Sequence, residues 1–328
     1  MRLAHLLPAL AAATGALAAP PEWLWPGTLR LLRAPAGPEG GKTAVLSSDI
    51  HMRDPWIMPY QGTYYLVGTT GDTWGKEGGG FEGYTSTDLI HWTSQGPILQ
   101  FDDPPTWAAY QFWAPELCER DGRFYLFYSG NTDNTRRGTG VAVAEAPMGS
   151  FRNLSDRALT PPEWECLDGH LFRDAGGGEW LIFVHEWVQC KIGEMWAQRI
   201  APDYTHLVGE RHLLFRGQEA SWSNHVIDGP MMVRHEGKYH LFWSSFNPRD
   251  GYCCGVAVAD ALLGPYTQYQ EPVIARDGGH NCVFQGFDGA FYTSFHRPNR
   301  TPGERVKVYR LEFSDGLWRL GAEVGPGA

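Results

Sequence analysis

Acidic and imidazole side chains recur near the start of five similar segments of this chain. The segments are Arg53-Asp54-Pro55, Trp113-Ala114-Pro115-Glu116, Leu167-Asp168-Gly169-His170, Ile227-Asp228-Gly229-Pro230 and Gly279-His280-Asn281. Two carboxyl groups on either side of a glycosidic bond can hydrolyse it, one by activating water and the other by protonating the leaving oxygen. Crowded carboxyl groups also raise one another's pKa, which keeps one of them protonated as the acid. The residues therefore suit glycoside hydrolysis, provided that the fold brings them together.

A second pattern follows each polar segment and indicates how the fold could bring these residues together. An apolar run leads to a turn with glycine, and an aromatic-rich run such as Phe124–Phe127 comes back. The turn glycines lie 52 to 60 residues apart and are Gly62, Gly122, Gly178, Gly237 and Gly289. Glycine turns between apolar runs predict β-hairpins, and a period of this length with about four strands per unit is typical of propeller blades. We therefore predict an all-β, five-bladed β-propeller over residues 46–328; a β-sandwich, the alternative, would not account for the repeat.

In a propeller the first strand of each blade lines the central channel, so five polar heads would meet at one mouth. The second strands run back, so their ends return to that same mouth. The predicted pocket comprises Asp54, Glu116, Asp168, Asp228 and His280, with Thr69, Thr70, Ser129, Glu186, Ser244, Ser245 and His296 at the return ends. Because Pro55 restricts the residue before it, we expect Asp54 to be extended at a strand start. Nearby aromatic side chains could stack on the apolar faces of sugar rings.

In this order and at this spacing, the five segments resemble those of glycoside hydrolase family 43, which includes arabinanases, α-L-arabinofuranosidases and β-xylosidases. The likeness covers about residues 46–320. It implies a five-bladed propeller with Asp54 as the general base and Asp168 as the residue that positions the acid and tunes its pKa. It also implies that His280 lies near a central calcium or other ion, contacted through water, although Asn281 replaces the family's next glycine.

The acid is where the chain departs from the family. The family has glutamate in a Glu-Gly-Pro motif of the fourth blade, and this chain has Asp228, which is one methylene shorter. We expect Asp228 to be the acid, with Glu186 as the alternative; a third outcome is a propeller that binds sugars without cleaving them. The residues expected to contact substrate are Glu116, Trp113, Glu186, Trp243, Phe112 and His170. No cofactor is expected to be required.

The net charge limits the classes of partner, and the N-terminal sequence predicts the location of the protein. The net charge of −10 argues against a nucleic-acid partner and suits a neutral ligand such as a carbohydrate. Residues 1–19 have the charge, apolar run and Ala-x-Ala site of a secretory signal peptide, followed by a Pro- and Gly-rich leader over residues 20–45. We expect a secreted, extracellular monomer without a membrane span. Six cysteines leave their pairing open, and adjacent Cys253 and Cys254 favour one partnered and one buried thiol.

Overall fold

The computed structural model describes residues 44–71, 74–75, 80–100 and 107–327. Residues 1–43, which include the predicted signal peptide and most of the predicted leader, lie outside the described residues. The last residue of that leader, Val45, already belongs to the first strand. Across the described ranges, no helix is long and apolar enough to cross a membrane.

The described strands form five small antiparallel sheets, one for each predicted blade. The first contains β1 (Val45–Leu46), β2 (Arg53–Tyr60), β3 (Thr63–Thr69), β4 (Gly80–Ser86) and β5 (His91–Gln100). The second contains β6 (Tyr110–Arg120), β7 (Arg123–Asn131), β8 (Gly138–Ala144) and β9 (Arg152–Asn153). The third contains β10 (Cys166–Arg173), β11 (Glu179–His185), β12 (Glu194–Ile200) and β13 (Leu207–Arg216).

The last two sheets repeat this order. The fourth contains β14 (Asp228–His235), β15 (Lys238–Asn247), β16 (Gly251–Ala259) and β17 (Thr267–Gln268). The fifth contains β18 (Gly279–Gln285), β19 (Phe291–Arg297), β20 (Arg305–Ser314) and β21 (Leu317–Glu323). The helices of the described residues are short: α1 (Trp187–Cys190) and two 3₁₀ turns, Ser47–Asp49 and Gly217–Glu219.

The predicted hairpins are confirmed at the turns that join the first two strands of each blade. Gln61 and Gly62 have φ angles of 48° and 83°, and Asp121 and Gly122 have 51° and 79°. Positive φ at both central residues is the turn geometry that matches the twist of a tight hairpin, which is why glycine recurs there.

The blades pack side by side around a channel lined by β2, β6, β10, β14 and β18, each of which contacts the next. Five clusters of buried apolar residues fill the five blade interfaces, including the one between the last and first blades. The fold is therefore a five-bladed β-propeller, as predicted. Within the clusters, burial of each large side chain contributes about 1.5–3 kcal/mol.

The ring closes without exchanging a strand between the described parts of its first and last blades, because β1 pairs with β5 at the outer edge of blade 1. Hydrogen bonds join the two blades instead: Ser294 Oγ donates to the carbonyl of Pro55 at 2.7 Å, and the N–H of Val306 donates to the carbonyl of Ile50 at 3.3 Å. All six cysteines are free. The expectation that one of Cys253 and Cys254 is partnered was therefore wrong: both thiols are buried in strand β16, without a disulfide partner.

Candidate active site

Each inner strand contains a β-bulge whose central residue has a left-handed backbone. The residues are Asp54 (φ 50°), Ala114 (46°), Asp168 (54°), Gly229 (55°) and His280 (53°), each beside a break in the strand register. Asp54 is therefore not extended as expected from Pro55, because the bulge inserts it as an extra residue. Left-handed backbone in non-glycine residues costs about 1 kcal/mol or more and concentrates at functional sites.

The bulges also correct which residues are equivalent from blade to blade. Asp228 directly precedes the left-handed Gly229, so it corresponds to Arg53 and Leu167 rather than to Asp54 and Asp168. Glycine is required at position 229, because a Cβ there would lie 2.9 Å from Cγ of the His280 ring. The fourth blade therefore presents its carboxyl group from a different backbone position than the first and third.

Four of the five bulges are joined to the preceding blade by one repeated hydrogen bond. The backbone N–H of each bulge residue donates to a side chain at the return end of that blade: Ala114 to Thr69, Asp168 to Ser129, His280 to Ser244 and Asp54 to His296, at 2.8 to 3.2 Å. Four of the return-end residues predicted from the sequence thus lie beside the heads, where they connect neighbouring blades.

The repeat fails between blades three and four, and this failure shapes the site. The return-end position of blade three is Val184, which pairs with Leu167 and has no polar atom in its side chain. The N–H of Gly229 donates instead to Oδ2 of Asp168, at 2.9 Å. This bond draws the Asp168 carboxylate towards blade four, next to Asp228.

Asp54 is held in the form that a general base needs. Its Oδ2 accepts a 2.6 Å hydrogen bond from Thr69, and its Oδ1 lies 3.4 Å from Nδ1 of His280. Burial alone would raise the pKa of Asp54, but His280, His296, Arg53 and Thr69 outweigh burial and hold that pKa below its ordinary value. Asp54 is therefore ionised across the neutral and mildly acidic range.

Asp228 is held in the opposite form. Burial, followed by repulsion from Asp168 and Glu186, raises the pKa of Asp228 to about 8, despite the opposing effects of His280 and Tyr252. Burial also raises the pKa of Asp168. Asp168 is nevertheless the better stabilised anion, because it accepts the Gly229 N–H and has His280 Nδ1 at 3.8 Å. At neutral pH Asp228 is therefore the protonated member of the pair.

His280 balances the charge of this cluster. Burial would lower the pKa of His280, but the surrounding Asp54, Asp168 and Asp228 raise it above the ordinary value. Its Nδ1 faces carboxylate oxygens, as an imidazole N–H donor does, which does not fit direct metal ligation through that atom. Where the chain is described, the one group of three potential ligands with metal-like spacing excludes His280; it consists of His185, Cys190 and Glu194. A water-mediated ion beside His280 stays a prediction.

Glu186 lies at the same mouth but is tied to a cation. It accepts a hydrogen bond from Nη1 of Arg137, whose guanidinium also lies 4.3 Å from the ring centre of Trp113. Burial raises the pKa of Glu186, while Arg137 favours its carboxylate. The partly exposed Trp113 in turn contacts the exposed Trp74, with ring centres 5.5 Å apart. These side chains form one wall of the mouth.

Glu116 and His170 lie one layer deeper in the channel. Each is two residues beyond a bulge, about 7 Å further along its strand, and His170 Nδ1 lies 2.8 Å from Glu116 Oε2. Both are buried, and burial raises the pKa of Glu116. They lie beneath the three aspartates of the mouth, Asp54, Asp168 and Asp228.

Two aromatic residues predicted to contact substrate do not reach the mouth. Trp243 is fully buried between blades three and four, where its indole N–H donates to Gln268. Phe112 is buried between blades one and two and packs against Tyr128. Neither has an exposed face for a sugar ring, so both assignments were wrong.

Other residues of the site were not singled out from the sequence. Arg137 directly precedes β8, the third strand of its blade, and Tyr252 lies in β16 with its hydroxyl 3.2 Å from Oδ2 of Asp228. Asn299 contacts two residues next to the general base Asp54: its Oδ1 accepts a hydrogen bond from Arg53 and lies 3.0 Å from Nε2 of His296. The signals were weak, because all three fall outside the repeated heads and return ends.

Comparison with known proteins agrees with this geometry. The sequence model of glycosyl hydrolases family 43 matches residues 45–318. An extracellular exo-α-(1→5)-L-arabinofuranosidase from Cellvibrio japonicus is 25% identical, covering 82% of this chain and 85% of that protein. A β-xylosidase from Xylanibacter ruminicola is 26% identical, covering 82% of this chain and 95% of that protein. The crystal structure of an endo-arabinase from Bacteroides thetaiotaomicron VPI-5482 superimposes with a TM-score of 0.78 at 34% identity, covering 84% of this chain and 99% of that one.

Proposed function

This chain belongs to glycosyl hydrolase family 43 and is therefore a glycoside hydrolase; on that premise we propose that it cleaves α-L-arabinofuranosyl or β-xylosyl linkages of plant-type polysaccharides or oligosaccharides with inversion. The arabinofuranosidase, xylosidase and endo-arabinase among its relatives support these two sugars. The secreted, monomeric state expected from the sequence belongs to the same proposal.

One observation carries the mechanism: a single buried cluster places Asp54 beside Thr69 and His280, which lower its pKa, and Asp228 beside carboxylates, where burial and these carboxylates raise its pKa to about 8. Asp54 takes a proton from water as that water attacks the anomeric carbon. Asp228 gives its proton to the leaving oxygen, and Asp168 keeps that proton on Asp228 until it is transferred. Because side chains perform both proton transfers, the reaction requires no cofactor.

Asp228 is a better candidate for the acid than Glu186. The cation of Arg137 at Glu186 stabilises the carboxylate, which is the form that cannot donate a proton. Asp228 is flanked by anions instead, and they keep its proton in place near neutral pH. Glu186 and Trp113 are assigned to substrate binding, with Glu116 and His170 supporting the site from below.

The test compares Asp228→Asn with Glu186→Gln on aryl α-L-arabinofuranosides and β-xylosides that differ in leaving-group pKa. A leaving group such as 2,4-dinitrophenolate needs no protonation, so loss of the general acid should spare this substrate and slow the alkyl or phenyl glycosides. We expect that pattern for Asp228→Asn and a more uniform loss for Glu186→Gln.

Asp260→Asn, at an exposed carboxylate in blade four, is the matched control. The reverse pattern between the two variants would assign the acid to Glu186. Oligosaccharide binding by the wild-type protein without release of any of these sugars, or of galactose, would indicate a non-catalytic propeller. NMR of the first product anomer tests inversion.

A further inference from the structure

Tyr252 lies where the acid and the base sides of the site meet. Its hydroxyl donates to Oδ2 of Asp228 at 3.2 Å, and the side chain is buried. Its ring stacks on that of His296, with centres 5.6 Å apart and planes inclined by 22°, and His296 accepts the backbone N–H of Asp54. The ring is also confined by Gly279, where a Cβ would lie 2.8 Å from Cε1 of Tyr252.

The Tyr252 phenol is protonated near neutral pH and donates its hydrogen to Oδ2 of Asp228. Burial, and then the acidic groups Asp228, Asp54 and Asp168, which are all ionised at the pH where a phenol titrates, raise the pKa of Tyr252 well above its ordinary value, so the phenol keeps its proton. A protonated carboxyl group has one oxygen that carries hydrogen and one that accepts. With Oδ2 accepting from Tyr252, the acidic proton of Asp228 lies on Oδ1.

We propose that Tyr252 is a positioning residue for the general acid: its hydroxyl holds Oδ2 of Asp228 so that Oδ1 presents the proton to the leaving oxygen. This role matters because Asp228 is one methylene shorter than the glutamate expected in the family and has fewer rotamers with which to reach the glycosidic oxygen. The inference rests on the proposed function, in which Asp228 is the acid.

The test is Tyr252→Phe, with Tyr266→Phe as the matched control. Tyr266 is another tyrosine of blade four, and its hydroxyl donates to the backbone carbonyl of Leu262, away from the acidic cluster. We expect Tyr252→Phe to lower kcat/KM on phenyl glycosides roughly 10-fold, the effect typical of one hydrogen bond to an ionisable group. Activity on 2,4-dinitrophenyl glycosides should stay within about twofold of wild type.

The pH profile separates positioning from a merely structural role. The lost hydrogen bond favoured the carboxylate of Asp228, so its removal should move the alkaline limb of kcat/KM to higher pH. A structural role would slow both substrates equally and leave that limb in place, which would overturn the inference. Thermal unfolding of both variants checks that they are folded.

Asp228→Asn in parallel distinguishes failure of the inference from failure of the proposed function. If Asp228→Asn slows activated and unactivated substrates equally, Asp228 is not the acid and the proposed function fails. If it shows the leaving-group pattern of an acid variant while Tyr252→Phe leaves the alkaline limb unmoved, the inference alone fails. The double variant should be no slower than Asp228→Asn.

Discussion

Replacing Asp228 by asparagine should stabilise the protein while it removes the general acid. The pKa of Asp228 is about 8 in the folded protein, against 3.8 for an ordinary aspartate. As pH rises from 3.8 to 7, ionisation of this group stabilises the unfolded chain, whereas the folded chain keeps the group protonated and is not stabilised in this way. About three pH units at about 1.4 kcal/mol each give a penalty of up to roughly 4 kcal/mol at pH 7, which asparagine avoids.

Urea unfolding at pH 7 and at pH 4 measures this effect. At pH 7 the variant should unfold at higher urea, with a gain in unfolding free energy of about 2–4 kcal/mol. Near pH 4 the gain should fall below about 1 kcal/mol, because pH 4 lies close to the unfolded-state pKa of 3.8 and ionisation then stabilises the unfolded chain only slightly. Asp260→Asn, at an exposed position, should change little at either pH. A destabilised Asp228→Asn variant, or a gain independent of pH, would refute the assignment of a protonated Asp228.

Three further predictions follow from the same structure. The alkaline limb of wild-type kcat/KM should fall with an apparent pKa near 8, because Asp228 loses the proton it must donate, and a limb governed by a pKa below 6 would contradict this. Gly229→Ala should abolish activity by displacing the ring of His280, whereas Gly237→Ala, at a turn with free space, should cost about 1 kcal/mol of stability and leave kcat unchanged. His240→Phe should raise the melting temperature below pH 6 and have little effect at pH 8. Burial lowers the pKa of His240 to about 4, so the folded state loses stability relative to the unfolded state as pH falls from 6.5 towards 4. An equal effect at both pH values would count against this.

The sequence was most informative where one residue type has one physical role. Turn glycines, four of which have positive φ, marked the hairpins, and Asp54 and Asp168 were recognisable because they recur before apolar strands. It was least informative about which aromatic side chains reach the mouth. Blades bury both faces against their neighbours, so strand alternation does not separate the buried Trp243 from the partly exposed Trp113.

The bulges were the other feature that sequence could not supply. A bulge shifts the equivalence of positions by one residue, and no local pattern distinguishes Asp228, before its bulge residue, from Asp168 at the bulge. The contact of Tyr252 with Asp228 depends on the pairing of β15 and β16, not on any spacing along the chain. Export and oligomeric state remain predictions from the sequence.

The most direct test of the account is a crystal structure of the Asp54→Asn variant with an uncleaved arabino-oligosaccharide or xylo-oligosaccharide. The account predicts the scissile oxygen within hydrogen-bonding distance of Asp228 Oδ1, and the anomeric carbon facing residue 54 across one water. A scissile oxygen bound to Glu186, or a sugar seated away from both carboxyl positions, would contradict it.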